Sequence, residues 1–149
     1  MPTEPEPLPL DGPILIVNPG ASSPKIMVVR PDDRVLASDT LGHTEGRIEE
    51  NGIAEMPDRL NDVGAAGVRV VHGGEHFSGP MLVEESVVDV LEDLSDLAPL
   101  HNPPAVSALR ALRGARIEVP IVACFDTAFH AGLPPAAVAY ALPYRWRIE

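Results

Sequence analysis

The sequence has 149 residues, 45% of them apolar, only 4% aromatic, and a formal net charge of −11. That length suits one domain with a core built from Val, Leu, Ile and Ala. The acidic balance argues against binding nucleic acid or an anionic membrane surface, both of which need a basic face, and no apolar run reaches the ~18 residues of a membrane span.

Met1 to Pro9, MPTEPEPLP, is rich in Pro and Glu. It predicts a disordered leader over residues 1–12 and a folded domain over 13–149. No basic segment followed by an apolar one marks a secretory signal. Cys124 is the only cysteine, so no intrachain disulfide forms, and a reducing, cytoplasmic compartment is expected.

Ile14 to Arg30 reads ILIVNPGASSPKIMVVR. Two β-rich runs joined by a Gly/Ser turn predict a hairpin. The first run is continuous and apolar, which predicts burial on both faces. Its turn displays the Asn18 amide, the Ser22 and Ser23 hydroxyls and the Lys25 ammonium, and Gly20 permits close approach of backbone N–H groups. That set suits an anion such as phosphate; an ordinary polar turn is the alternative.

Pro31-Asp32-Asp33 is a turn, and Arg34 to Thr40 predicts a third strand of an antiparallel meander. Leu41 to Asn51 is polar, with Gly42 and Gly46, and reads as loop. Ile53, Met56, Leu60 and Val63 follow a helical period, with Pro57 able to mark the helix start. Val68 to Val71 predicts a short strand, and His72 to Pro80 a Gly-rich loop. Val87, Val90, Leu91 and Leu94 predict a helix over about Glu84 to Leu97. Asn102 is placed to cap the next helix, with Pro103 at its first position; it runs to Gly114. Pro120 to Phe125 predicts a strand. The segment from Phe129 onward has no assignable pattern. Strands first, then alternating helix and strand, give an α/β fold with a mixed sheet.

Two further groups of residues bear on chemistry. Arg69 lies inside a short apolar strand, which is costly unless its guanidinium is paired or aimed into a cleft. There it can grip a carboxylate or phosphate with two parallel bonds; an edge-strand arginine facing water is the alternative. Asp126 follows a buried strand, where ligand crevices of α/β sheets form, and it can equally cap a helix. His72-Gly73-Gly74-Glu75-His76 matches the zinc-peptidase pattern H-x-x-E-H. That chemistry needs both histidines on one helix face, whereas the glycines favour a loop. Cys124 sits in an apolar run and reads as a buried, inert thiol.

Taken together, these segments resemble the acetate kinase family. Asn18-Pro19-Gly20-Ala21-Ser22-Ser23-Pro24-Lys25 is similar to its opening Asn-Ala-Gly-Ser-Ser-Ser-x-Lys. Arg-Val-Val-His-Gly-Gly-Glu stands at Arg69 to Glu75, Ala-Pro-Leu-His-Asn-Pro at Ala98 to Pro103, and Phe-Asp-Thr-Ala-Phe-His at Phe125 to His130. Tyr140 to Tyr144 adds a Tyr-Ala-Leu-Pro-Tyr echo. Pro19, Ala21 and Pro24 depart from the family's turn.

The resemblance implies an actin-like ATPase, ribonuclease-H-like domain: a mixed sheet with antiparallel opening strands and flanking helices. It implies transfer of a phosphoryl group from ATP to acetate with Mg²⁺, yielding ADP and acetyl phosphate. By position it makes Asn18 the metal-site residue, Lys25 the ATP-site lysine, Arg69 the substrate-binding arginine and Asp126 the catalytic acid/base. Val71 and Leu100 match the pocket for the acetate methyl. The resemblance covers only the family's N-terminal lobe, so a lobe inactive alone is expected, with a homodimer or a separately encoded C-terminal lobe as partner. A non-catalytic binding or assembly module derived from that lobe is the alternative, and the zinc peptidase a distant third.

Overall fold

The computed structural model describes residues 12–20, 23–41, 43–44, 47–48, 62–115, 119–139 and 141–146, with backbone alone at 43–44, 47–48 and 144. The predicted leader, the residues Ala21 and Ser22, and the helix predicted from Ile53 lie outside the described residues, except for Gly12 at the leader's end and Asp62 and Val63 at that helix's end.

The chain opens with β1 (Ile14–Asn18), β2 (Lys25–Val29) and β3 (Val35–Thr40), followed by the short β4 (His43–Thr44) and β5 (Arg47–Ile48). Next come β6 (Ala65–Val70), β7 (Met81–Leu82), helix α1 (Glu85–Asp93) and helix α2 (Asn102–Gly114). The chain continues through β8 (Ile121–Phe125), a 3₁₀ turn at Asp126–His130 and helix α3 (Pro135–Val138).

Six strands form one sheet in the order β3-β2-β1-β6-β8-β7. The opening meander is antiparallel, while β1, β6 and β8 run parallel, so the predicted mixed sheet is present. The loop expected over 41–51 contains the β4–β5 ladder, pairing His43 with Ile48 and Thr44 with Arg47. The sequence pattern also passes over β7, which pairs antiparallel with β8; two residues are too few to show alternation.

One face of the sheet is buried. Leu15, Val17, Ile26, Val28, Val68 and Ala123 meet Val88 and Leu91 of α1 and Leu109 and Leu112 of α2 in a single core. In α2, Ala105, Ala108 and Ala111 are also buried, and their small side chains widen the contact stripe. Burying a leucine side chain contributes about 1.5–3 kcal/mol, so these residues dominate the stability of this layer. Arg110 and Arg113 of α2 bridge Glu92 and Glu85 of α1, each at 2.7 Å. Such exposed pairs add little beyond alignment.

The expectation that β1 is buried on both faces is corrected. Its residues alternate, with Leu15 and Val17 buried and Ile14, Ile16 and Asn18 half-buried. A strand sends successive side chains to opposite faces, and α1 and α2 pack on only one of them. The other face carries Asn18, Arg69 and Cys124.

Candidate functional site

β1, β6 and β8 end at the same edge of the sheet, where open α/β sheets place their ligand crevices. The pairing register sets the side chains there. Lys25 is opposite Asn18 at the end of the β1–β2 ladder, and Arg69 is opposite Cys124 in β6–β8. Val17 pairs with Val68, so Asn18 and Arg69 are the next residues along neighbouring strands. Asp126 directly follows β8.

Three of the four predicted polar residues are hydrogen-bonded together. Arg69 Nε donates to both carboxylate oxygens of Asp126, at 3.0 and 3.1 Å, and Nη2 donates to Oδ2 at 2.5 Å. Arg69 Nη1 donates to Asn18 Oδ1 at 3.1 Å. Asp126 therefore spans one edge of the guanidinium while Asn18 holds an end. These bonds leave one N–H on each of Nη1 and Nη2 for a ligand. The Arg69 and Asp126 side chains are 46% and 41% exposed, so a small anion can reach them. The hydrogen bonds that Arg69 donates to Asp126 raise the Arg69 pKa above its ordinary value; burial opposes this, and the Asp126 charge adds to the rise. The guanidinium is thus a fixed positive charge.

Of the two readings open for Asp126, the cap is not observed: Asp126 is the first residue of a 3₁₀ turn whose N-cap is Phe125, and its carboxylate turns to Arg69 at the end of the strand. Lys25 is exposed at the same edge. Val71 is half-buried just past β6. Leu100 is 74% exposed in the turn before α2, so it does not contribute to an enclosed pocket in this conformation.

The helix required by the zinc-peptidase pattern is absent. Residues 74–76 form a turn, Gly74 has φ +59°, and its N–H donates to His72 Nδ1 at 2.9 Å. A left-handed residue interrupts the helix that would align both histidines. Cys124 is exposed, contrary to the buried thiol expected, because alternation sends it to the face opposite Ala123 and Phe125. Partial desolvation still pushes its thiol pKa up.

Asn102 also departs from expectation. It is the first residue of α2, not its cap, and it is wholly buried. Its Oδ1 accepts from the His72 N–H at 3.2 Å, and its Nδ2 donates to the His72 carbonyl at 3.0 Å and to that of Leu94 at 3.4 Å. A buried amide needs such partners. The signal was readable: Asn102 sits seven residues before Leu109 on the apolar stripe. Thr127 was likewise missed. Its Oγ1 accepts from the Gly73 N–H at 3.0 Å, a contact between residues far apart in sequence.

The strand order and the edge site define a lobe of the actin-like ATPase fold. Its likeness to solved structures is clear in a propionate kinase from Francisella tularensis, with TM-score 0.73, 28% identity, and coverage of 91% of this chain and 42% of that one. A Porphyromonas gingivalis acetate kinase gives TM-score 0.73 at 26% identity, with the same coverages. The family model of the acetokinase family matches residues 37–149, which include Arg69, Val71, Leu100 and Asp126. The chain belongs to the acetokinase family. It is 48% identical over 87 residues to an acetate kinase of Geobacter metallireducens, covering 58% of this chain and 21% of that protein. It is 46% identical over 100 residues to one of Bacillus anthracis, covering 67% and 24%. The matched stretch thus spans about a quarter or less of these relatives' length.

Proposed function

We propose that this chain forms the acetate-side lobe of an acetate kinase, transferring the γ-phosphoryl group of ATP to acetate to give acetyl phosphate and ADP. Turnover needs a second, nucleotide-holding lobe, supplied by the same or a separate polypeptide. The observation that carries this reading is the Arg69 guanidinium, held by Asp126 and Asn18 at the ends of the parallel strands.

Phosphoryl transfer depends chiefly on positioning and charge stabilisation. Arg69 grips the carboxylate and then the developing acyl phosphate. Lys25 adds positive charge beside Asn18 and faces the nucleotide phosphates. Carboxylic acids are already ionised at pH 7, as Asp and Glu are, so acetate has no proton to lose. Asp126 therefore acts by orienting Arg69. Asn18 Oδ1 and the Asp126 carboxylate are hard oxygen donors at one edge, a chemistry that suits Mg²⁺. Asn18 would hold the ion through its amide oxygen, and the ion would neutralise phosphate charge.

The test is binding by the full chain. Titration with acetate and with inorganic phosphate should show weak, saturable binding that Arg69→Ala abolishes, without ATP turnover by the lobe alone. Binding that survives Arg69→Ala would overturn the assignment of Arg69, and turnover by the lone lobe would overturn the need for a second one.

A further inference from the structure

Three consecutive backbone N–H groups after β6 end on side chains. His72 donates to Asn102 Oδ1, Gly73 to Thr127 Oγ1, and Gly74 to His72 Nδ1. The Asn102 amide also returns a bond to the His72 carbonyl, so it holds that residue's backbone from both sides. Gly73 has no room for a side chain: a Cβ there would lie 2.9 Å from the Phe77 carbonyl oxygen and 3.0 Å from Phe125 Cδ1. Beneath it, the Phe77 and Phe125 rings stack at 4.7 Å. The turn is pinned by the start of α2, by the 3₁₀ turn after β8 and by this stack.

Thr127 is the residue next to Asp126, and Val71 stands two residues beyond Arg69 with fully buried Val70 between them. The pinned turn is therefore tied to both members of the ion pair. We propose that Asn102 and Thr127 are positioning residues that hold the 71–74 turn beside the Arg69–Asp126 pair and so limit the size of the carboxylic acid accepted there. This rests on Arg69 being the carboxylate grip. Neither residue touches the acid. They keep Val71 from backing away, and a wall that cannot retreat discriminates by chain length more sharply than one that yields. Inorganic phosphate, held by the guanidinium charge alone, does not sense that wall.

The experiment compares the full chain with Thr127→Val, Thr127→Ser and Thr127→Ala, each shown to be folded by urea denaturation. Acetate, propionate, butyrate and inorganic phosphate are titrated by NMR. The expected result is a preference for acetate over butyrate that falls about tenfold in Thr127→Val and Thr127→Ala, the equivalent of one lost hydrogen bond. Thr127→Ser restores it, and phosphate affinity stays level in all four proteins. If acetate and phosphate bind but the preference is unchanged in the Val and Ala variants, this inference fails while the kinase-lobe reading stands. If the parent chain binds neither carboxylate nor phosphate, that reading fails and the size limit falls with it.

Discussion

Arg69 and Asp126 stand 57 residues apart in the chain, and three hydrogen bonds join their side chains. The carboxylate lies along one edge of the guanidinium, so it governs which way the remaining N–H groups point. An arginine oriented in advance loses less side-chain entropy on gripping a planar anion.

Asp126→Asn keeps the shape and removes the charge. In the complete two-lobe enzyme, kcat/KM should fall by about 10²-fold, the scale of losing one preorganised electrostatic contact. On the proposed role, in which Asp126 orients and does not take a proton, the loss should be equal at every pH from 6 to 9. Recovery of the rate at high pH in a pH–rate profile would restore the acid/base role. Arg69 itself imposes no pH dependence in that range. Its raised pKa means that its contribution is fully present below the ordinary arginine value and is lost only above it.

Asn102→Ala should destabilise the fold by about 3 kcal/mol, read as a lower urea midpoint. It leaves the part-buried His72 N–H and carbonyl without the amide that holds them, and an orphaned buried group costs about 1–3 kcal/mol. A midpoint within error of the parent's would show that water or backbone movement replaces the amide.

Gly73→Ala should cost about 1–3 kcal/mol through overpacking, since the new methyl meets a backbone carbonyl and two phenylalanine side chains. Gly67→Ala is the control, because a Cβ there meets nothing within 4 Å. Thermal unfolding followed by circular dichroism separates the two.

Cys124 should react with a disulfide reagent in the folded protein, because it is exposed. It should react slowly at pH 7, because its thiol pKa is raised from 9.0 and the thiolate is the nucleophile. The rate should rise about tenfold per pH unit through the neutral range and level off only above the ordinary thiol value. By linkage, the folded state holds this proton more tightly than the unfolded chain does. The resulting stability is present below pH 9 and declines as pH rises through the folded value. A neutral-pH rate equal to that of the urea-unfolded chain would contradict this.

Much of the architecture was legible in the letters. The hairpin, the third strand, both main helices and β8 follow from local alternation, helical period and turn residues. β7 and the β4–β5 ladder were not legible, because two-residue strands exist only through their partners. Arg69 and Asp126 stood out because a charge in or beside an apolar strand demands an explanation. Thr127 did not, because a polar residue after a strand already has an ordinary local use; Asn102 shares the apolar stripe of α2, but a polar residue at a helix start already has an ordinary use as a cap.

What the sequence determined by itself is the identity of the longer strands and the two main helices, the acidic character and the motif residues of the acetokinase family, all of which are properties of neighbouring positions. The tertiary structure alone decided that α1 and α2 cover one face of the sheet, leaving Cys124 exposed on the other. It also decided that Asn102 grasps a backbone 30 residues away and that Asp126 turns to Arg69 instead of capping a helix. The physical reason is that burial and hydrogen-bond pairing depend on which segments meet. That meeting is set by packing between elements distant in the chain, which no local pattern records.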